Sequence, residues 1–128
     1  MGDFSSALDV TTSGLRAQSA RLRHTSENIA NADTPGYRRK TVSFEATMAD
    51  DSARVKVGPV RLDQKERTQI YDPGHPLADA TGHYSGSNVD LIVEIADARE
   101  AQRSYEANLK MFDQTRQMQA GLMDLLRK

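Results

Sequence analysis

The chain has 128 residues, of which 38% are hydrophobic, only 5% aromatic and none Trp, so it is one domain-length unit with too little apolar material for a large globular core. A formal net charge of −1 removes the electrostatic case for nucleic acid or an anionic membrane, and the absence of Cys removes disulfides and thiolate chemistry. No apolar run approaches the roughly 20 residues of a membrane span, and the N-terminus has no apolar stretch of signal-peptide type. The opening MGDFSS formally fits a myristoylation pattern but reads as an ordinary helix start.

The first element is a helix over residues 4–31. Leu8, Leu15, Leu22 and Ile29 recur every seven residues, while Thr12, Ser19 and Ser26, four further on, are small and polar. A seam one leucine wide with Ser and Thr beside it allows close backbone approach but buries little, so packing has to stabilise the helix. Its stop signal is the run from Asn28 to Tyr37. Asn tolerates the left-handed conformation that ends helices, and Pro35-Gly36 supplies the central pair of a type II turn. The chain then leaves as an extended strand.

Residues 34–87 differ in character. Segments 41–45, 54–57 and 59–62 alternate like half-buried strands, with a polar loop at 48–53, and Gln69-Ile70-Tyr71 is a further short strand. Asp72-Pro73-Gly74-His75-Pro76 is a dense turn cluster, and residues 81–87 form another loop. The expectation is a small β insertion of two or three hairpins that must lean on the helices.

The last element, residues 88–128, is a helix of roughly 60 Å. Leu91, Ala98, Tyr105, Phe112 and, after Gln119, Leu126 recur at seven-residue spacing, and Ile95, Leu109 and Met123 run beside them. Asn88 is the expected N-cap and Asp90 suits the positive end of the dipole. Outer pairs such as Glu100 with Arg103, Asp113 with Arg116 and Asp124 with Lys128 would each add a few tenths of a kcal/mol. The fold class is therefore mainly α with a small β insertion. The terminal helices (1–33 and 88–128) pack as a coiled coil and form one axial core. Leu8, Leu15, Leu22 and Ile29 would pack on Leu91, Ile95, Ala98, Tyr105, Asn108, Leu109 and Phe112, from the same or adjacent molecules. The alternative is a two-helix hairpin closed within one chain.

Chemical constellations are sparse. His75 and His83 lie near Asp72 and Asp79, but their spacing fits no standard zinc site and their setting is a solvated loop. His24, beside Arg21 and Arg23, reads as a surface residue. Arg38-Arg39-Lys40 reads as a solvated edge or a partner-facing patch. Asp50 with Asp51 would be a catalytic pair only inside a cleft that nothing foreshadows. Tyr105 and Phe112 read as core or interface. There is no Gly-rich phosphate loop, nucleophile elbow or His-rich zinc helix. Neither enzymatic activity, a cofactor nor a metal is expected.

The run Ser26-Glu27-Asn28-Ile29-Ala30-Asn31, followed by Thr34-Pro35-Gly36-Tyr37, resembles the N-terminal signature of bacterial flagellar rod, hook and hook-associated axial proteins. The stretch from Tyr71 to Gly82, Asn88-Val89-Asp90, and Arg103 to Leu109 resemble the proximal-rod members of that family. Two departures stand out. The join between Asn31 and Tyr37 is shorter than is usual in those members, and Leu91 stands where they commonly have Pro. The resemblance implies a subunit that stacks helically into the rod, the drive shaft between the motor's membrane ring and the hook. Its terminal helices would form the inner tubular layer around an export channel. It implies export, unfolded and without a cleaved signal peptide, by the flagellar type III apparatus into the basal body in the periplasmic space. Its partners would be copies of itself, other rod proteins, that apparatus and the membrane ring. The alternatives are another rod subunit of the same family, or a soluble coiled-coil adaptor or secretion chaperone.

Overall fold

The computed structural model describes residues 2–49 and 52–127, so the Asp50–Asp51 pair and the Lys128 partner of Asp124 lie outside the described residues. The elements in chain order are α1 (Gly2–Ala30), β1 (Lys40–Ala49), β2 (Ser52–Leu62), β3 (Gln69–Tyr71), β4 (His83–Ser85) and α2 (Leu91–Arg127). The fold is mainly α with two small antiparallel sheets, β1–β2 and β3–β4.

Along α1 the hydroxyls are turned back onto their own helix. Thr11 and Thr12 donate to the Leu8 carbonyl at 3.0 and 2.7 Å, Ser13 to Val10 at 2.7 Å and Thr25 to Arg21 at 2.8 Å. This satisfies their donor groups within the helix, and it leaves the Ser13 oxygen free to accept from the hairpin. The helix ends where the sequence places its stop. The Asn31 side chain donates to the Glu27 carbonyl at 2.8 Å and accepts from the Thr34 hydroxyl at 3.1 Å. Tyr37 N then donates to Thr34 O at 3.2 Å across Pro35-Gly36, and Gly36 sits at φ 78°. That is the type II turn, and the positive φ is why Gly is needed there.

The middle segment corrects two expectations: His83–Ser85, expected inside a loop, is a strand paired with Gln69–Tyr71, and the hairpin strands run further than expected. Met48, Ala49, Ser52 and Ala53, expected in a polar loop, belong to the strands, because β1 and β2 pair all the way from Lys40↔Leu62 to Ala49↔Ser52. Phe44, Ala46 and Met48 face Val57, Val55 and Ala53, so the alternation continues past the stretch that looked polar. Gly58-Pro59 does not divide β2, because it falls at the register shift between Val42 and Phe44. A Cβ at Gly58 would lie 2.6 Å from the Ser43 hydroxyl and 3.2 Å from the Ser43 carbonyl, so a larger residue there would force the bulge to shift.

The cap of α2 is also corrected. Asp90 fills the role, its side chain accepting from Ile92 N at 3.1 Å and its carbonyl from Glu94 N at 3.0 Å. Asn88 is employed elsewhere. Its amide donates to the carbonyls of Asp63 and Lys65 at 2.9 and 3.0 Å and accepts from Arg39 N at 2.6 Å.

The helices run antiparallel within the chain. The pairs Asn28–Glu94 and Gly14–Asn108 set a register in which equal lengths of the two helices lie between them. In that register α2 continues past the first turn of α1. The buried seam consists of Gly14, Ala17, Thr25 and Asn28 on α1 against Glu94 and Ala101 on α2. Among the described residues the only fully buried apolar side chains are Ala17 and Ala101. At about 0.8 kcal/mol per buried methylene or methyl, such a seam stabilises little. A different flank of α1 carries the β1–β2 hairpin, held where Val55 N donates to Ser13 Oγ at 3.1 Å and Arg54 meets Asp9 at 3.4 Å.

Candidate assembly surface

The polar joint at the end of α1 is built on Asn28, which is 1% exposed. Its amide nitrogen donates to the Lys40 carbonyl at 2.9 Å and to Glu94 Oε2 at 3.3 Å. Its oxygen accepts from the Tyr37 hydroxyl at 2.8 Å and from Lys40 N at 2.9 Å. All four capacities of the side chain are used, so one residue ties α1, the turn, β1 and α2 together. Burial raises the Tyr37 phenol above its usual range. The turn is tied to the second sheet as well. Gly36 N donates to the Ser85 and Gly86 carbonyls at 3.1 Å, Arg67 donates to Gly36 O at 3.0 Å, and Ser87 Oγ donates to Ala32 O. The family-like turn is therefore bonded to the segment 85–87 that lies between the two other family-like stretches, Tyr71 to Gly82 and Asn88 to Asp90.

Arg39, expected on a solvated edge or a partner-facing patch, sits instead inside this joint. Its guanidinium meets the buried Glu94 through Nε and Asp97 through Nη2 at 2.7 Å, with Asp63 at 3.9 Å. Burial opposes its charge, but the Glu94 hydrogen bond, with Asp97 and Asp63 nearby, holds it above its ordinary value. Arg38 donates to the Asp63 carbonyl at 3.1 Å. Lys40 reaches Glu27 at 2.8 Å, and that hydrogen bond raises Lys40 and lowers Glu27. His24 is likewise not a surface residue, since only 12% of its side chain is exposed. It faces a cleft of about 320 Å³ between the hairpin root and both helices, with its Nδ1 3.8 Å from Glu27. Glu100 pairs with Arg21 of α1 at 3.4 Å rather than with Arg103.

The loop histidines are used in packing. His75 stacks on Tyr84 with centroids 3.9 Å apart, and His83 tilts against Tyr71 at 5.1 Å. Asp79 caps its own loop through Thr81 and His83, which lowers its carboxyl, the Thr81 hydroxyl having the largest effect. Among the described residues no group of His, Cys, Asp or Glu is arranged to hold a metal.

The seven-residue rows lie at the margin of the seam rather than in it. Leu8, Leu15, Leu22 and Ile29 are half-buried, as are Ala98, Tyr105, Asn108 and Phe112. Leu91, Ile95 and Leu109 are 46%, 44% and 41% exposed. The helix register brings the rows level to within about half a turn: Ile29 with Leu91, Leu22 with Ala98, Leu15 with Tyr105 and Leu8 with Phe112. Leu15 and Tyr105 line one shallow groove. Of the turn residues, Asn28, Asn31, Gly36 and Tyr37 are bonded into the joint, while Ser26, Ala30 and Pro35 are exposed and Thr34 keeps only its local bonds. Sequence reasoning missed Arg39 and Glu94 as joint residues. A lone Glu on the inner line of the helix, in register with Ala101 and Asn108, was the available signal.

The chain is similar to known proteins over its whole length. The family model described as flagella basal body rod protein matches residues 4–38, and the one described as flagellar basal body rod FlgEFG protein C-terminal matches residues 80–125. The flagellar basal-body rod protein FlgC of Agrobacterium fabrum is 47% identical, with 99% of this chain and 98% of that protein covered. The proteins of that name from Salmonella typhimurium and Bacillus subtilis are 37% and 32% identical, covering 91% and 88% of this chain and 93% and 91% of theirs.

Proposed function

Since this chain belongs to the flagellar basal-body rod proteins and is a structural subunit of that rod, we propose that it polymerises helically in the proximal rod through its two terminal helices. The helices (1–33 and 88–128) act as one axial core, packed as a coiled coil around the export channel, and the insertion (34–87) is set outward by the joint. The face formed by Leu8, Leu15, Leu22 and Ile29 with Leu91, Ile95, Ala98, Tyr105, Asn108, Leu109 and Phe112 is covered by neighbouring subunits. Torque passes through many such contacts. The role is mechanical, with no catalytic step. The partners are copies of the chain, other rod proteins, the type III export apparatus and the membrane ring, and the site is the periplasmic section of the basal body.

The observation that carries this reading is the pair of level, half-exposed apolar rows beside a seam of small and polar residues. One chain closes the seam but leaves the rows open, as a polymerising subunit requires. Leu22→Asp tests it. The variant is expected to remain folded, because Leu22 lies outside the buried seam, but to be absent from isolated basal bodies and to abolish swimming. Normal incorporation and swimming would reject this face as the contact.

A further inference from the structure

A shallow groove on the outer flank of α1 is lined by Leu15, Arg16, Ser19, Ala20 and Arg23, with Tyr105 reaching over from α2. Arg16 and Arg23 are exposed, and neither makes an ion pair among the described residues. They stand one heptad apart with the small residues Ser19 and Ala20 between them. The exposed side of α2 carries the complement, Glu106 and Asp113, also one heptad apart and also without an ion pair among the described residues. Between these two lies Leu109, 41% exposed.

We propose that the groove receives α2 of a second copy of this chain, with Arg23 against Glu106, Leu109 over Ser19 and Ala20, and Arg16 against Asp113. This names the partner surface within the rod reading and rests on it. Copies that point the same way bring α1 of one antiparallel to α2 of the next, and the order of the charges fits that direction.

The charges also choose the register. In the register found inside the chain, Arg16 is level with Glu106, but Arg23 is level with Arg99 and Asp9 with Asp113, so neighbours packed at equal height would set two like-charge pairs against one opposite-charge pair. A shift of one heptad gives both opposite-charge pairs and leaves Arg99 level with Ala30 and Asp9 with Ala120. Seven residues of helix are about 10 Å, so neighbouring copies are displaced along the axis by that amount. A displaced contact between two different surfaces cannot close into a flat ring and generates a helical stack.

Mixed cysteines test the pairing, because the chain has none of its own. Cells producing one copy with Ser19→Cys and another with Leu109→Cys should, on oxidation of isolated basal bodies, yield a disulfide-linked dimer containing one of each. Basal bodies that hold both versions and yield no such dimer would overturn the pairing while leaving the rod reading intact. Absence of even the unsubstituted chain from basal bodies would overturn both. A charge exchange gives a second readout. Arg16→Glu with Arg23→Glu, or Glu106→Arg with Asp113→Arg, should abolish swimming at unchanged helicity by circular dichroism, and all four together should restore it. Normal swimming of both paired variants, or a fourfold variant as defective as either, would refute the contact.

Discussion

Asn28 concentrates more of the fold than any other side chain, because four groups from three other segments depend on its one amide. Asn28→Ala would leave the Tyr37 hydroxyl, both backbone groups of Lys40 and the Glu94 carboxylate each short of a partner. An unsatisfied buried group costs about 1–3 kcal/mol, and because water can reach the half-buried Tyr37 and Lys40 but not Glu94, a total loss of about 3–5 kcal/mol, near the low end of the four-group sum, is expected. A chain of this length at the low end of normal stability has roughly 6 kcal/mol to lose. Urea unfolding of the isolated protein should therefore show a midpoint moved most of the way to zero denaturant, and a shift below about 1 kcal/mol would contradict the role assigned to the joint. The turn around Asn28 is legible in sequence, since Asn, Pro and Gly signal locally. The roles of Arg39 and His24 are not. Arg39 stands in a basic run, and its carboxylates lie 55 and 58 residues further along, beyond any local pattern. His24 stands beside charged residues and is covered only because the hairpin root folds back across it.

At the scale of elements, the helices were readable because a seven-residue period and capping residues are local signals. Even so, the period alone does not say which residues meet. The leucine rows are the strongest repeat, yet the residues buried between the helices include Gly14, Ala17 and Ala101, small side chains that let two helices come near each other. A Cβ at Gly14 would lie 3.1 Å from the Asn108 amide. Gly14→Ala would ask that amide to give slightly, whereas Gly14→Leu must part the helices and is expected to cost about 1–3 kcal/mol in spite of better helix propensity. Thermal unfolding of the variant should show the loss, and a raised melting temperature would mean that the seam is not tight there. The hairpin reads as separate strands in the sequence for a comparable reason: the polar residues at 50–52 suggest a wide loop, and the pairing of Met48 with Ala53 is settled only across the two strands.

At the scale of the molecule, two buried alanines make an inner core that explains neither the length of the helices nor their apolar rows. Relatives that align over nine-tenths of the chain or more are named as rod proteins, and in the proposed assembly neighbouring subunits supply the burial that a single chain lacks. Folding thus completes in stages. The polar joint and small-residue seam form within one chain, and in the proposed assembly the leucine rows and the distal part of α2 find cover between chains. The most direct test is the solvent access of the leucine rows in the two states. With Leu15→Cys as the only thiol, a maleimide reagent should label the isolated subunit readily and fail to label the same variant in intact basal bodies. Equal labelling in both states, with the variant present in the rod, would contradict the claim that these rows are buried by neighbours.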